Sequence, residues 1–224
     1  MKKIAVISAH PDDEAFGCGG TLLKHKSKGD ELSLLFMTDG ISARKDASSK
    51  ETSKRESDLR TAMACLNPKH FERLNFPDNK LDSVPLLDIV QEIETFLQKV
   101  KPDIIYTHFW NDLNIDHSLT AKATLTATRP GSPTSVKKIL AYEVPSSTEW
   151  QIEDEPFRPN YFVGIENQID SKIELINCYE TEVRPYPHPR SIENIKALGQ
   201  VRGATVSIPY AEGFILVRSI DDEK

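Results

Sequence analysis

The segment Ile4-Ala5-Val6-Ile7-Ser8-Ala9 runs directly into His10-Pro11-Asp12-Asp13-Glu14, so an apolar stretch of strand length ends in an imidazole and three carboxylates. A run that apolar reads as a strand buried on both faces, as in a parallel sheet covered by helices. The acidic cluster then falls at the strand's carboxyl end, the edge where open α/β sheets bind ligands. Three carboxylates this close repel one another, and the arrangement is costly unless a cation or a network compensates.

Helical and strand patterns alternate along the rest of the chain. A helix is expected over Cys18 to Lys28, stopped by Gly29, then a strand over Glu31 to Thr38. The polar stretch Ser42 to Ser53 reads as a loop over the sheet edge. Helix Lys54 to Leu66, a strand near Phe71 to Phe76, helix Leu86 to Val100, strand Asp103 to His108, helix Ser118 to Thr128 and strand Lys138 to Val144 follow. Arg129 to Pro133 is a turn and Pro145 to Pro159 an irregular loop carrying Trp150. Two last helices, Asn167 to Glu180 and Ser191 to Arg202, flank a proline-stiffened connector that holds His188 and Arg190. This βαβ order predicts an α/β fold, with a mostly parallel sheet and helices on both faces. At 224 residues, with no repeat or low-complexity break, a single domain over 1–224 is expected.

The 28 basic and 34 acidic residues give a net charge of -6, which supports no polyanion-binding role, so no nucleic acid partner is expected. Cys18, Cys65 and Cys178 are odd in number, far apart in sequence and outside any Cys-x-x-Cys pairing. They argue against a disulfide framework or a thiolate zinc site and fit a reducing cytoplasm. The apolar run after Lys2-Lys3 is broken by the acidic cluster before it reaches signal-peptide length. No stretch approaches the roughly 20 apolar residues of an integral membrane segment.

A second polar cluster closes the strand Ile104-Ile105-Tyr106-Thr107, running from His108 through Asp112-Leu113-Asn114-Ile115-Asp116-His117. Two histidines and one carboxylate are a common set of three metal ligands that leaves a position for water. His10, Asp13 and His117 supply that set if the two strands are neighbours. Zn2+ is the default metal, though Fe2+ or another divalent transition metal suits the same donors. Such a cation lowers the pKa of bound water towards about 7, and Asp12 is placed to take the proton as general base. Read singly, each residue has a plainer role: His10 as a hydrogen-bonded group after a strand, Asp116 as a helix N-cap or as a support for the site from behind. His25, His70 and His108 read as structural.

His10-Pro11-Asp12-Asp13-Glu14 with Gly17-Cys18-Gly19-Gly20, Thr38-Asp39-Gly40 and Asp112-Leu113-Asn114-Ile115-Asp116-His117 resembles the PIG-L (LmbE-like) deacetylases. Weaker similarity lies in Arg55-x-x-Asp58, Pro77-Asp78 and His188-Pro189-Arg190-Ser191. The resemblance implies a Rossmann-like fold and a zinc-dependent hydrolase that removes acetyl groups from N-acetylglucosamine-type sugars or their conjugates. Metal-bound water would attack the amide, with metal ligands His10, Asp13 and His117 and general base Asp12. Arg55 and Asp78 match sugar-contact positions, and a homo-oligomer is a family-level expectation.

Many members have His-Pro-Asp-His in the second motif, where this chain has Asn114-Ile115-Asp116-His117. Asparagine can donate to an oxyanion but cannot act as general acid. Asn114 is therefore expected to bind the amide oxygen, His188 to supply the missing protonatable group, and Trp150 to stack on a sugar ring. Two alternatives compete: a sugar-binding relative with altered catalysis, and a dinucleotide-binding oxidoreductase. The second fails on spacing, because Leu22 stands where the fingerprint wants a third glycine.

Overall fold

The computed structural model describes residues 1–45, 48–132, 136–150 and 155–221. Residues 46–47 of the expected Ser42–Ser53 loop, Pro133 of the expected turn and residues 151–154 of the expected Pro145–Pro159 loop lie outside them. Strands β1 (Lys3–Ser8), β2 (Glu31–Phe36), β3 (His70–Arg73), β4 (Ile104–His108), β5 (Lys138–Tyr142), β6 (Tyr161–Gly164) and β7 (Ala211–Ser219) form one seven-stranded sheet in the order β3-β2-β1-β4-β5-β7-β6. The first five run parallel, and β7 is antiparallel to both β5 and β6. The expected mostly parallel sheet is present. β6 and β7 were not anticipated, because an antiparallel return strand is specified by its partners and not by a βαβ rhythm.

Alternation along β1 sorts its residues between two cores. Ile4 and Val6 join the cluster under helices α1 (Asp13–Ser27), α2 (Ser49–Leu66), α5 (Ile169–Asn177) and α6 (Ile192–Ala204). Ala5 and Ile7 join the cluster under α3 (Leu86–Val100) and α4 (Ile115–Ala127). α3 lies where expected, since Ile89, Val90, Ile93, Phe96, Leu97 and Val100 make one apolar stripe at helical spacing. α2 begins earlier than Lys54: the Ser48 side chain accepts from Glu51 N–H while Glu51 reaches back to Ser48, a reciprocal cap that fixes the start.

α1 also starts earlier than expected, at Asp13, and it is broken at Cys18 (φ -141, ψ 16). Just past the break, the Glu212 carboxylate on β7 accepts the N–H groups of Gly20 and Thr21, at 2.9 and 2.7 Å. The α1 glycines serve packing. A Cβ on Gly17 would lie 2.3 Å from the Tyr142 ring, and one on Gly20 would lie 2.9 Å from Ile165. The dinucleotide alternative thus loses its glycines as well as its spacing. Tyr142 is fully buried, so Gly17→Ala is expected to destabilise the protein by about 1–3 kcal/mol through overpacking. Urea unfolding checks this; an unchanged midpoint would mean that the ring gives way at no cost.

Candidate active site

β1 lies between β2 and β4, and the chain crosses from one half of the sheet to the other at β1 and β4. The carboxyl ends of these strands therefore flank the topological switch point, where open α/β sheets place their ligands. β1 delivers His10, Asp12 and Asp13 there, and β4 delivers His108 and the turn into α4 that carries Asp112, Asn114, Asp116 and His117. The chain turns sharply between His10 and Asp13, with Asp12 at φ 112 and ψ -31. That conformation is strained for a residue with a side chain, and such strain concentrates at functional sites.

One donor atom from each of His10, Asp13 and His117 can be chosen so that all three lie within 4.8 Å of one another. Asp13 Oδ1 and His117 Nε2 are buried, lack any hydrogen-bond partner and face each other 3.3 Å apart. His117 Nδ1 is 3.2 Å from Asp112 Oδ1, so in the neutral imidazole that a metal ligand must be, with its N–H toward that carboxylate, the Nε2 lone pair points at Asp13. Two buried acceptors aimed at one another are what a divalent cation would satisfy, so in that neutral form the residues fit one.

His10 is held in the same way. Its Nδ1 is 3.3 Å from Asp13 Oδ2, and its Nε2 is 3.3 Å from both Asp78 Oδ1 and Asp116 Oδ2. Asp78 and Asp116 could form a second set with His10, but their oxygens are already engaged. Asp116 accepts from Asn79 N–H and Leu81 N–H, and Asp78 from Ala43 N–H and Asn79 Nδ2. They orient the imidazole from behind. Asp116 is therefore not the N-cap of α4; Asn114 is, accepting from Asp116 N–H at 2.9 Å and His117 N–H at 3.4 Å.

The three adjacent carboxylates are accommodated in three different ways. Burial opposes ionisation of Asp13, yet His117 and His10 hold its carboxyl well below the usual range. Glu14 turns into the core, accepts from Tyr179 O–H at 2.7 Å and Asp12 N–H at 3.0 Å, and is pushed up by burial to about 8. Asp12 Oδ2 accepts from Arg55 Nη2 at 3.0 Å and Arg190 Nη1 at 3.2 Å. Burial, with repulsion from Asp13 and Glu182, pushes the Asp12 carboxyl up against the pull of those two guanidiniums. A buried carboxylate with a raised pKa, beside the candidate cation position, has the properties of a general base.

Asp12 opens onto a cleft of about 230 Å³ lined by His10, Gly40, Ala43, Arg44, Arg55, Asp78, Asn79, Asn114, Glu182 and Arg190. Gly40, at φ 66, is required there, since a Cβ would approach Arg55 Nη2 to 3.0 Å and His10 to 3.2 Å. Glu182 sits among three arginines: its Oε1 is 2.7 Å from Arg44 and 3.4 Å from Arg55, and its Oε2 is 3.4 Å from Arg190.

Two of the expected site residues lie outside the lining of this cleft. His188 is exposed and does not line the cleft; its Nδ1 accepts from Arg190 N–H, and the stiffened connector delivers the Arg190 guanidinium to Asp12 instead. Trp150 is 64% exposed and also outside the cleft. Its loop reaches the site through Ser147, whose Oγ lies 3.2 Å from Asp112 and 3.4 Å from His117. Three contributors went unread in the sequence: His108, Glu182 and Arg44. His108, read as structural, stacks on His117 at 4.0 Å and accepts Ala9 N–H at Nε2; burial lowers its pKa to about 4. A histidine at the end of a central strand was the available signal. Nothing local marks Glu182 or Arg44.

A doubly covered α/β sheet with a His, Asp, His group that could hold a metal at its switch point, and a raised-pKa carboxylate beside it, has the parts that metal-assisted hydrolysis requires. The chain belongs to the PIG-L family, described as GlcNAc-PI de-N-acetylase, whose sequence pattern it matches over residues 5–128. The uncharacterized deacetylase YaiS of Escherichia coli K12 is 28% identical over 172 residues, covering 75% of this chain and 84% of that protein. The diacetylchitobiose deacetylase of Thermococcus kodakarensis is 28% identical over 231 residues, covering 98% and 85%. Among solved structures, GalB, the 4-carboxy-2-hydroxymuconate hydratase of Pseudomonas putida KT2440, superposes with a TM-score of 0.77 at 22% identity, covering 100% and 99%. Among the described residues no helix is long and apolar enough to cross a membrane.

Proposed function

We propose that this chain is a cytoplasmic, zinc-dependent deacetylase acting on an N-acetylated sugar or a small conjugate of one. The observation that carries the reading is the orphaned pair Asp13 Oδ1 and His117 Nε2 next to an Asp12 carboxylate that takes no part in that set. When bound there, zinc supplies Lewis acidity and brings the pKa of a coordinated water to about 7. Asp12, aimed by Arg55 and Arg190, accepts the proton as water adds to the amide carbon. Asn114 Nδ2, which donates to Asn79 Oδ1 at 3.3 Å, has a second proton for the developing oxyanion. Asp12 then returns its proton to the departing nitrogen, because His188 stands outside the cleft. The products are acetate and a free amine. Arg55, Asp78 and the other polar groups of the cleft suit sugar hydroxyls.

Acetate release from a panel of N-acetylglucosamine, diacetylchitobiose and negatively charged N-acetylglucosamine conjugates tests the reading. Turnover of at least one by the zinc-loaded protein is expected, and none on any would contradict it. A pH dependence follows from the same geometry. Burial lowers the His117 pKa, but Asp13 and Asp112 raise it further, to about 9, so a cation must displace a proton below that pH. Zinc affinity is expected to rise by about tenfold per pH unit between pH 6 and 8 for each proton displaced. Competition against a chelator at several pH values measures this, and a flat profile would contradict it.

One observation favours a second reading. Three guanidiniums, Arg44, Arg55 and Arg190, converge on the cleft, and a hydratase whose name carries a carboxylate shares the fold. On that reading the activated water adds to a carbon–carbon double bond of a carboxylated substrate. Its signature is water addition to an unsaturated dicarboxylate with no acetate released from the sugar panel.

A further inference from the structure

Cys65 lies in the last turn of α2, and Cys178 follows directly on α5. They are 113 positions apart in sequence, yet their sulfurs are 3.7 Å apart. Cys65 is exposed and Cys178 partly so, whereas Cys18 is fully buried. Sequence separation had argued against pairing, but the packing of α2 against α5 removes that separation.

We infer that Cys65 and Cys178 are a redox-modifiable thiol pair that closes to an intrachain disulfide on meeting a small-molecule disulfide, clipping the end of α2 to the end of α5. A disulfide needs its sulfurs at about 2.0 Å, so the two side chains together must close a gap of under about 2 Å. Both stand at helix ends, where the chain leaves regular structure: Asn67 is left-handed, and Tyr179 leads into a 3-10 turn over Glu180–Glu182. Burial, together with the neighbouring Cys65, pushes the Cys178 thiol up to about 12, which makes the exposed Cys65 the entry point. The Cys65 thiolate attacks one sulfur of the small disulfide and expels one thiol. Cys178 then attacks Cys65 Sγ, and the second thiol leaves. Two protein S–H groups are oxidised and one small disulfide is reduced to two thiols, which carry the two protons away.

The clip joins two elements that stand behind Asp12. α2 carries Arg55, and the residue after Cys178 is Tyr179, whose hydroxyl bonds Glu14 and whose ring lies 5.4 Å from the Arg55 guanidinium. The inference does not depend on the substrate. The full-length protein is incubated with oxidised glutathione, alkylated and weighed intact. The expected result is a chain lighter by two hydrogens, with no glutathione retained and one linked peptide pair containing Cys65 and Cys178. That form should unfold several degrees higher than the reduced one. Cys178→Ser should instead retain one glutathione on Cys65, and Cys65→Ser should not lose the two hydrogens. Thiols that both remain alkylatable, glutathione left on Cys65 of the wild type, or chains linked to one another would each overturn the inference.

Discussion

Asp12→Asn is expected to lower the kcat of acetate release by about 10²–10⁴-fold, the range for removal of a general base, with bound zinc unchanged. The separation of these readouts is the content of the prediction. Asp12 lies outside the His10, Asp13 and His117 set, so the substitution leaves the candidate ligands in place. The asparagine oxygen can still accept from Arg55 and Arg190, which holds the side chain where the carboxylate lies. What is lost is an acceptor for the water proton. The other carboxyl groups lining the cleft, Asp78 and Glu182, are both held below their ordinary range by the histidine and arginines beside them, so neither substitutes as a base. Steady-state kinetics and elemental analysis on the same preparation check it. A variant with normal kcat, or one that loses its zinc, would contradict the assigned role.

Glu212→Ala is expected to destabilise the protein by about 3–5 kcal/mol, because it leaves a buried cation without its partner. The Lys172 ammonium is buried and donates to Glu212 at 2.6 Å and to the Phe16 carbonyl at 2.9 Å. The same carboxylate accepts from the N–H groups of Gly20 and Thr21 just past the Cys18 break, so its removal also takes away those two bonds. Much of the cost comes from the stranded charge, so Lys172→Met in the same chain should recover a large part of it. Urea unfolding of the single and double variants measures this. Equal destabilisation in both would show that those two bonds outweigh the ion pair.

What the sequence disclosed, and what it withheld, follows the range of the signals. The β1 run and the stripe of α3 are local patterns, and their elements lie where they were expected. The split between Asp12 and Asp13 was read from extended backbone, on which neighbours diverge; the chain instead turns sharply at Asp12, whose carboxylate meets Arg55 and Arg190 while Asp13 meets the histidines. The second half of the site was less legible. Glu182 and Arg44 reach the cleft from a 3-10 turn and a loop whose local sequence carries no functional mark. Among His188, Pro189 and Arg190 the chemistry favoured the histidine, but the fold turns it outward and the arginine inward, a choice made by long-range packing. Asn114 looked like a replaced catalytic group, yet its oxygen is first of all a helix cap. Cys65 and Cys178 show the same limit from the other side, since contact between two helix ends is invisible in their spacing.

The most direct test of the central claim is elemental analysis of purified wild type beside Asp13→Ala and His117→Ala, with acetate release assayed on the same samples. About one zinc per wild-type chain, lost in both variants together with acetate release, is the result expected from the orphaned donor atoms of the His10, Asp13 and His117 set. A wild-type protein that takes up no divalent metal even after reconstitution, or variants that keep both metal and turnover, would contradict it.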